Sequence, residues 1–356
     1  MRDCLIHAIR RIALVLVFAS QWGCASWSYY GQAVVGQAEL WQRQSPIATV
    51  MRDPQTSPAL RARLQQAQQI RDFAVRELGL PDNQSYRRYA DLGRPFVVWT
   101  VFAAPPLSLS PRQWCYPIAG CVGYRGFFTA DSARAFAEEL RQAGDDVYVA
   151  GVPAYSTLGW LADPLLNTFI EYPESELARL LFHELAHQLI YLRDDSGFNE
   201  SFATVVETVG VARWLADQAN PQLEAQALAL TQARRRFQDE MTNTRILLEQ
   251  IYTSTAADSE QLTQKAQVLK AVQERYRLQQ VVAARPNAEH WFRQPLGNAH
   301  FVAVTMYHQQ VSAFNALLVN HQGDFERFYQ AVRELAQLPL GERLQRLTAL
   351  REQHHE

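Results

Sequence analysis

The sequence is poor in cysteine and has almost no net charge. Four of its 356 residues are cysteine, 34 are lysine or arginine and 36 are acidic, which leaves a formal charge of −2. Four cysteines are too few for a disulfide-stabilised miniprotein, and a chain without basic excess lacks the electrostatic footprint of nucleic-acid binding. Glycine and proline, 16 each, are too scarce for a collagen-like or disordered chain. The composition therefore predicts a globular protein with one extended core and no nucleic-acid partner.

The N-terminal segment has the features of an export signal. Basic residues precede a short apolar run, Ile12 to Ala19, which cannot span a bilayer as a helix but suits a secretory signal peptide. Cys24 follows Gly23, as in a bacterial lipoprotein cleavage site whose cysteine becomes the lipidated first residue. Gln21 departs from that pattern, so simple signal cleavage or an uncleaved anchor stays open. Lipidation of Cys24 would anchor the protein in the bacterial outer membrane, on its periplasmic side. The membrane would then be a partner of the protein.

Two cysteines remain beyond this segment, Cys115 and Cys121. An even pair in an exported chain predicts a disulfide, and the residues between them include Pro117 and Gly120, which favour a turn. Two buried thiols are the alternative. A zinc site at this pair is disfavoured because neither a histidine nor a second cysteine pair lies nearby in the sequence.

Hydrophobic periodicity predicts a small sheet with helices in the first half of the chain and helices alone in the second. Helical patterns cover 27–42, 57–79 and 131–144, and β-branched or aromatic runs predict strands at 96–103, 123–128 and 146–152. From about residue 174 the pattern is helical almost without interruption, with C-terminal helices expected over 298–319, 323–338 and 341–350. The expected fold class is α+β and predominantly α-helical.

Residues 221–280 carry two heptad-like apolar stripes separated by a break at 253–259. Two long helices that fold back as an antiparallel hairpin would bury both stripes against each other. The hairpin is interpreted either as a packed structural element or as a partner-binding arm or lid, and the sequence identifies no protein partner.

The segment His183-Glu-Leu-Ala-His187 lies within an apolar helical run. At 3.6 residues per turn the two histidines lie one turn apart on one helix face, so both imidazoles can meet one zinc ion. Glu184 lies one position round from His183, where it can take a proton from a water in the open coordination position and pass it to a leaving nitrogen. This pattern predicts a hydrolytic zinc site that still needs a third ligand.

Two glutamates on the next predicted helix are candidates for that ligand. Glu200 follows Asn199, with 12 residues between His187 and Glu200. Glu207 lies seven residues beyond Glu200, about two helical turns further along the same helix. Either carboxylate could complete the site. If Glu200 is the ligand, Glu207 would orient a histidine through its second ring nitrogen.

These motifs resemble the gluzincin metallopeptidases, thermolysin-like and aminopeptidase-N-like enzymes, whose second helix bears N-E-x-x-A and supplies a glutamate ligand. The phrase NESFATVVE, 199–207, is similar to the aminopeptidase-N counterpart. More closely, the chain resembles a bacterial family of predicted aminopeptidases of unestablished substrate, through 24–37, 115–128, 155–168 and 182–188. The resemblance implies a gluzincin-like core with His183, His187 and Glu200 as ligands of one zinc ion and Glu184 as the catalytic base. The gap between the second histidine and Glu200 is shorter than in the named enzymes, so Glu207 stays an alternative ligand.

A metallopeptidase also needs a donor for the oxyanion, commonly a tyrosine or histidine near the metal. The sequence offers Tyr155, Tyr172, Tyr307 and His308, and each of them could equally have a structural role.

An aminopeptidase further needs an anionic anchor for the free amine of its substrate. The G-x-M-E-N anchor of the aminopeptidase-N group is absent, and Asp163 or Glu171 could substitute. The segment 155–168 could line the cleft as an edge strand that binds peptide backbone, or form an ordinary loop.

The sequence therefore predicts a zinc metallopeptidase, an aminopeptidase by resemblance, with a peptide as substrate. A zinc endopeptidase is one alternative. A non-catalytic envelope lipoprotein, with structural zinc and the hairpin as a binding arm, is the other. The expected organisation is a lipoprotein-type signal peptide (1–23), a metallopeptidase core (24–220), the helical hairpin (221–282) and C-terminal helices packed on the core (283–356).

Overall fold

The computed structural model describes residues 29, 31–116, 120–154, 156–279, 295–305 and 310–353. Most of these residues are helical, and three small sheets accompany the helices, which confirms a predominantly helical α+β fold. The helices are α1 (31–43), α2 (Ile47–Arg52), α3 (Pro58–Leu78), α4 (Ala130–Gln142), α5 (Glu174–Leu189), α6 (Ser196–Gln218), α7 (Pro221–Tyr252), α8 (Asp258–Gln279), α9 (Asn298–Thr305), α10 (Val311–Asn320), α11 (Phe325–Gln337) and α12 (Leu340–Gln353).

The strands form two three-stranded sheets and one hairpin. They are β1 (Ser45–Pro46), β2 (Arg88–Ala90), β3 (Val98–Ala104), β4 (Trp114–Tyr116), β5 (Gly120–Val122), β6 (Arg125–Phe127), β7 (Asp146–Val152) and β8 (Leu165–Leu166). The central sheet has the antiparallel order β6-β3-β7, a smaller mixed sheet has the order β1-β2-β8, and β4 pairs with β5.

Capping residues explain why α3 has the predicted limits. The Ser57 side chain accepts a hydrogen bond from Leu60 N, and Pro58 occupies the first helical turn, where its missing N–H costs nothing. Gly79 ends the helix in the left-handed conformation, with φ of 63°. The prediction of a helix over 57–79 is confirmed.

The central sheet separates helix α4 from a large cavity. Because side chains alternate across a strand, Val101 and Phe127 point to one face and pack on Ala133 and Ala137 of α4. The alternate residues of the same strands point to the opposite face, where they line the cavity.

The α7–α8 hairpin packs along this sheet. Its helices run antiparallel, since Phe237 and Tyr276 lie with ring centroids 5.6 Å apart and Arg275 pairs with Glu240. Their inner residues form one apolar cluster with Phe102 of β3. A buried seam therefore fixes the hairpin against the core.

A disulfide joins Cys115 to Cys121 across strands β4 and β5. The predicted pairing is confirmed, and the alternative of two buried thiols is wrong. The backbone N–H of Cys121 donates to the Asp194 carboxylate at 2.7 Å, which docks this hairpin on the connection between α5 and α6.

Some elements differ from the expectations. Within 298–319, where one helix was expected, α9 ends at Thr305 and α10 begins at Val311. Among the described residues 156–168 only Leu165–Leu166 is a strand, and it pairs with β2 in the smaller sheet. The part at 156–164 is loop, as the alternative interpretation expected.

No helix among the described residues is long and apolar enough to cross a membrane. The predicted signal peptide and Cys24 lie outside the described residues.

Candidate metal centre

Helices α5 and α6 bring the predicted ligands together. Helix α5 buries one apolar stripe, which includes Leu177, Leu181 and Leu185, and so turns the opposite face with the histidines towards the cavity. Helix α6 begins where the Asp195 side chain accepts a hydrogen bond from Phe198 N at 3.0 Å. The two helices are joined by six residues, 190–195.

Three side chains converge at the cavity. His183 Nε2 lies 3.1 Å from His187 Nε2 and 3.2 Å from Glu200 Oε2, and His187 Nε2 lies 3.6 Å from Glu200 Oε1. One potential ligand atom from each residue falls within 4.8 Å of the others. These three residues form the one such group found in the part of the chain that the structure describes.

The spacing of these atoms fits a zinc ion. Tetrahedral zinc with bonds of about 2.0–2.1 Å requires ligand atoms roughly 3.3 Å apart. The two imidazole nitrogens lie 3.1 Å apart, and their distances to the Glu200 carboxylate, 3.2 Å to Oε2 and 3.6 Å to Oε1, lie close to that value. Two imidazoles and one carboxylate are also the donor set of catalytic zinc sites, which keep a fourth position open. The residues present therefore fit a zinc ion.

Asn199 fixes the connection that leads into Glu200. Its side-chain oxygen accepts from Leu192 N and its amide nitrogen donates to Leu192 O, both at 2.7 Å, and Asn199 is only 2% exposed. This pair of hydrogen bonds closes the turn before α6. The turn therefore lets the face of α5 that carries His187 meet the face of α6 that carries Glu200, although few residues separate the two in sequence.

Glu207 contacts His183 from the side opposite Glu200. His183 Nδ1 lies 2.8 Å from Glu207 Oε2, and because an ionised carboxylate only accepts, Nδ1 is the donor. Arg179 contacts both Glu207 oxygens at 3.2 Å and also Glu176 at 3.1 Å, and Glu176 accepts from Arg234 of the hairpin. Consecutive ion pairs and hydrogen bonds thus connect Arg234 of helix α7 to His183.

We expect Arg179→Met to destabilise the metal-free protein. Glu207 is only 6% exposed, and removal of the guanidinium that contacts both of its oxygens leaves a buried carboxylate undercompensated, at a cost of about 3 kcal/mol. Urea unfolding would measure the loss. Arg275→Met is the matched control, because it removes the half-exposed Arg275–Glu240 pair of the hairpin, which contributes less than about 1 kcal/mol. Equal losses in the two variants would contradict the expectation.

The buried carboxyl groups near the cavity differ in their pKa values and therefore in their charge at neutral pH. Burial raises the pKa of Glu184 to about 7. Burial also acts to raise the pKa of Glu207, but Arg179 and His183 overcome it and lower that pKa to about 2. The neighbouring His187 and His183 likewise hold the pKa of Glu200 below its ordinary value, against the effect of burial. Glu200 and Glu207 are therefore anionic, whereas Glu184 can exchange a proton near neutral pH.

The two histidines titrate in opposite directions. Burial lowers the pKa of His187 to about 4. Burial also disfavours the charged form of His183, but its hydrogen bonds to Glu200 and Glu207 raise its pKa well above the ordinary value.

The cavity in front of these residues measures about 610 Å³. His183, Glu184 and His187 of α5, together with Glu200 of α6, line one side. The cavity face of the central sheet lines the other. The space could hold a short stretch of extended peptide between the two.

Tyr172 is the one predicted oxyanion donor that the structure describes. Tyr172 does not line the cavity, because it precedes α5, whereas His183 lies nine residues beyond the first residue of that helix, about 14 Å at 1.5 Å per residue. Tyr155, Tyr307 and His308 lie outside the described residues.

Two of the five described tyrosines that line the cavity, Tyr124 and Tyr191, are influenced by Glu200 and were missed by the sequence analysis. The Tyr191 ring centroid lies 6.5 Å from that of His187, and Tyr124 stands between β5 and β6. Burial and the nearby Glu200 raise the pKa of both phenols, so both are protonated donors at neutral pH. The position of Tyr191, four residues after His187, was the available sequence signal.

Neither proposed amine anchor lines the cavity. Asp163 is buried and accepts hydrogen bonds from Ser156 Oγ, Thr157 N and Gln188 Nε2. Glu171 is exposed and lies 3.8 Å from Arg63. Among the described residues, the carboxylates that line the cavity are those of Glu184 and Glu200.

Fold and site together define a mostly helical protein with a two-histidine, one-glutamate candidate metal centre at a large cavity. The chain belongs to the family described as "Putative aminopeptidase", whose model matches residues 28–347. Membership of this family supports a peptidase-like function and a peptide substrate. No curated protein and no solved structure matches the chain.

Proposed function

We propose that the protein is a zinc-dependent peptidase of the gluzincin type, with one zinc ion per chain held by His183, His187 and Glu200. The observation that carries the proposal is the convergence of these three ligand atoms within 4.8 Å, at the wall of a cavity that Glu184 also lines. A structural zinc site is usually closed by four protein ligands, whereas three ligands beside an acid–base carboxylate suit catalysis.

When bound, zinc would supply a Lewis acid that polarises the peptide carbonyl and acidifies the attacking water. Glu184 accepts the proton of that water and returns it to the leaving nitrogen. Glu207 holds the His183 ring through Nδ1, which leaves Nε2 free to face the metal. Tyr124 and Tyr191 are the described candidates for the oxyanion donor, and Tyr155, Tyr307 and His308 remain predictions.

The family description favours an aminopeptidase, which must neutralise the free amine of its substrate. Endopeptidase activity is the second candidate, because neither Asp163 nor Glu171 lines the cavity. A panel that contains both aminoacyl and internally quenched peptides separates the two activities.

We expect peptide hydrolysis to require stoichiometric zinc. Chelation should abolish activity on that panel, and one equivalent of zinc per chain should restore it, because in the proposed mechanism the attacking water is acidified by the metal. Metal content by mass spectrometry and activity should rise together. Bound zinc with no activity on any peptide would instead favour the non-catalytic lipoprotein with structural zinc and a binding arm.

We also propose that the protein is exported and lipid-anchored through Cys24 at the periplasmic face of the outer membrane. The apolar run and the Gly23–Cys24 pair support the proposal. Cys24→Ser should abolish metabolic labelling with palmitate and release the protein from membranes. Normal processing and membrane retention of that variant would contradict the anchor.

A further inference from the structure

The cavity face of the central sheet contains one cross-strand row of small residues. Thr100 of β3 pairs with Gly126 of β6 on one side and with Ala150 of β7 on the other. All three residues line the cavity. This row crosses the whole three-stranded sheet.

Larger residues flank the row on both sides. One neighbouring row contains Phe102, which stacks on Tyr148 at 6.2 Å and lies 5.8 Å from the Tyr124 ring. The other contains Val98 and Val152, which pair directly, and the register of β3 with β6 brings Phe128 next to them. All of these residues line the cavity.

The three rows together form a trough. Residues two apart on a strand are separated by about 7 Å, and neighbouring strands by about 4.8 Å. The trough defined by Thr100, Gly126 and Ala150 is therefore about one side chain wide and about 10 Å long. The metal centre lines the same cavity.

We propose that this trough is the specificity pocket of the site and takes a large apolar side chain, aromatic or long aliphatic, from the residue beside the scissile bond. Gly126 is the residue that determines specificity. The proposal rests on the proposed peptidase function and names its substrate class.

The chemistry of the trough selects an uncharged side chain. Its floor and both walls are hydrocarbon or aromatic apart from the hydroxyls of Thr100, Tyr124 and Tyr148, and none of its residues is charged. A charged substrate side chain would lose its hydration there without gaining a counter-charge. An aromatic ring would gain contacts with the flanking rings.

Gly126 leaves the room that such a side chain needs. A Cβ atom built at Gly126 meets nothing within 4 Å, and its φ is not in the left-handed region. A larger residue at this position would therefore enter the trough without backbone strain. Gly126 thus provides a direct way to narrow the pocket.

The test compares the wild type with Gly126→Ala, Gly126→Val and Gly126→Leu, on quenched peptides that carry Phe, Leu, Ala or Lys on either side of the scissile bond. We expect the wild type to prefer Phe or Leu over Ala by at least about tenfold in kcat/KM at one position, because pocket contacts of a few methylenes give such ratios. The Phe-to-Ala ratio should fall stepwise along the series, at least tenfold for Gly126→Val. Gly341→Val is the matched control and should keep the wild-type ratio, because Gly341 has equally open surroundings and does not line the cavity.

A second measurement keeps this result independent of catalysis. Calorimetry with zinc-loaded Glu184→Gln protein compares two peptide hydroxamates, one with a benzyl and one with a methyl side chain. Tighter binding of the benzyl compound, lost with Gly126→Val, supports the trough even if no peptide is cleaved. Equal losses for Phe and Ala substrates, or a wild type that prefers Lys, would overturn the proposal while leaving zinc peptidase activity intact. If Gly126→Val fails to fold, Ala150→Val narrows the same row from the other edge strand and should shift the ratio in the same direction.

Discussion

Replacement of Glu184 by glutamine should abolish peptide hydrolysis and leave the metal in place. Glutamine keeps the size of the side chain but cannot accept the proton of the attacking water, so we expect kcat to fall by at least about 10³-fold. Because Glu184 is not among the three converging ligands, zinc should still bind at one ion per chain. Steady-state kinetics and metal analysis on the same preparation measure both quantities.

Glu171→Gln is the control for this experiment. It makes the same chemical change at an exposed glutamate outside the cavity and should keep both activity and zinc. Unchanged activity in Glu184→Gln would reject the proposed mechanism, whatever the zinc content.

Loss of Glu200 should have a larger effect on metal binding than loss of Glu207. Glu200→Ala removes one of three converging ligands, so we expect the purified variant to contain no stoichiometric zinc. Glu207→Ala removes the partner of His183 Nδ1, and loss of such an orienting carboxylate weakens metal binding by about 10–100-fold. Competition with a chromogenic chelator gives both affinities.

Circular dichroism of the metal-free variants shows whether each one is folded, which matters for Glu207 because it is also paired with Arg179. If Glu207→Ala loses zinc completely and Glu200→Ala retains it, the ligand assignment is reversed.

The long helices and the central strands were predictable because each carries its signal locally. Ser57 and Gly79 mark the ends of α3, and the β-branched run at 96–103 is long enough to be recognised as a buried strand. The strand Ser45–Pro46 was missed because two residues have no measurable alternation, and its pairing with β2 joins distant parts of the chain.

The candidate site was predictable only where its residues share one helical turn. His183 and His187 are placed by the helical period alone. The choice between Glu200 and Glu207 depends on how α5 and α6 pack, and the sequence left it open. Contacts such as Arg179 with Glu207, and the row of Thr100 with Gly126, arise from chain segments 28 and 26 residues apart, so no local pattern reveals them.

The hydrogen bonds of Asn199 and the ion pair of Arg179 with Glu207 hold the ligand-bearing helices in position through protein contacts alone. We therefore expect that most of the conformational entropy of the site is lost during folding and not when a metal ion binds. The backbone should then stay in place when the proposed zinc ion is removed and added back. Exchange of zinc for cobalt by simple dialysis would then provide a spectroscopically visible ion in an undisturbed scaffold.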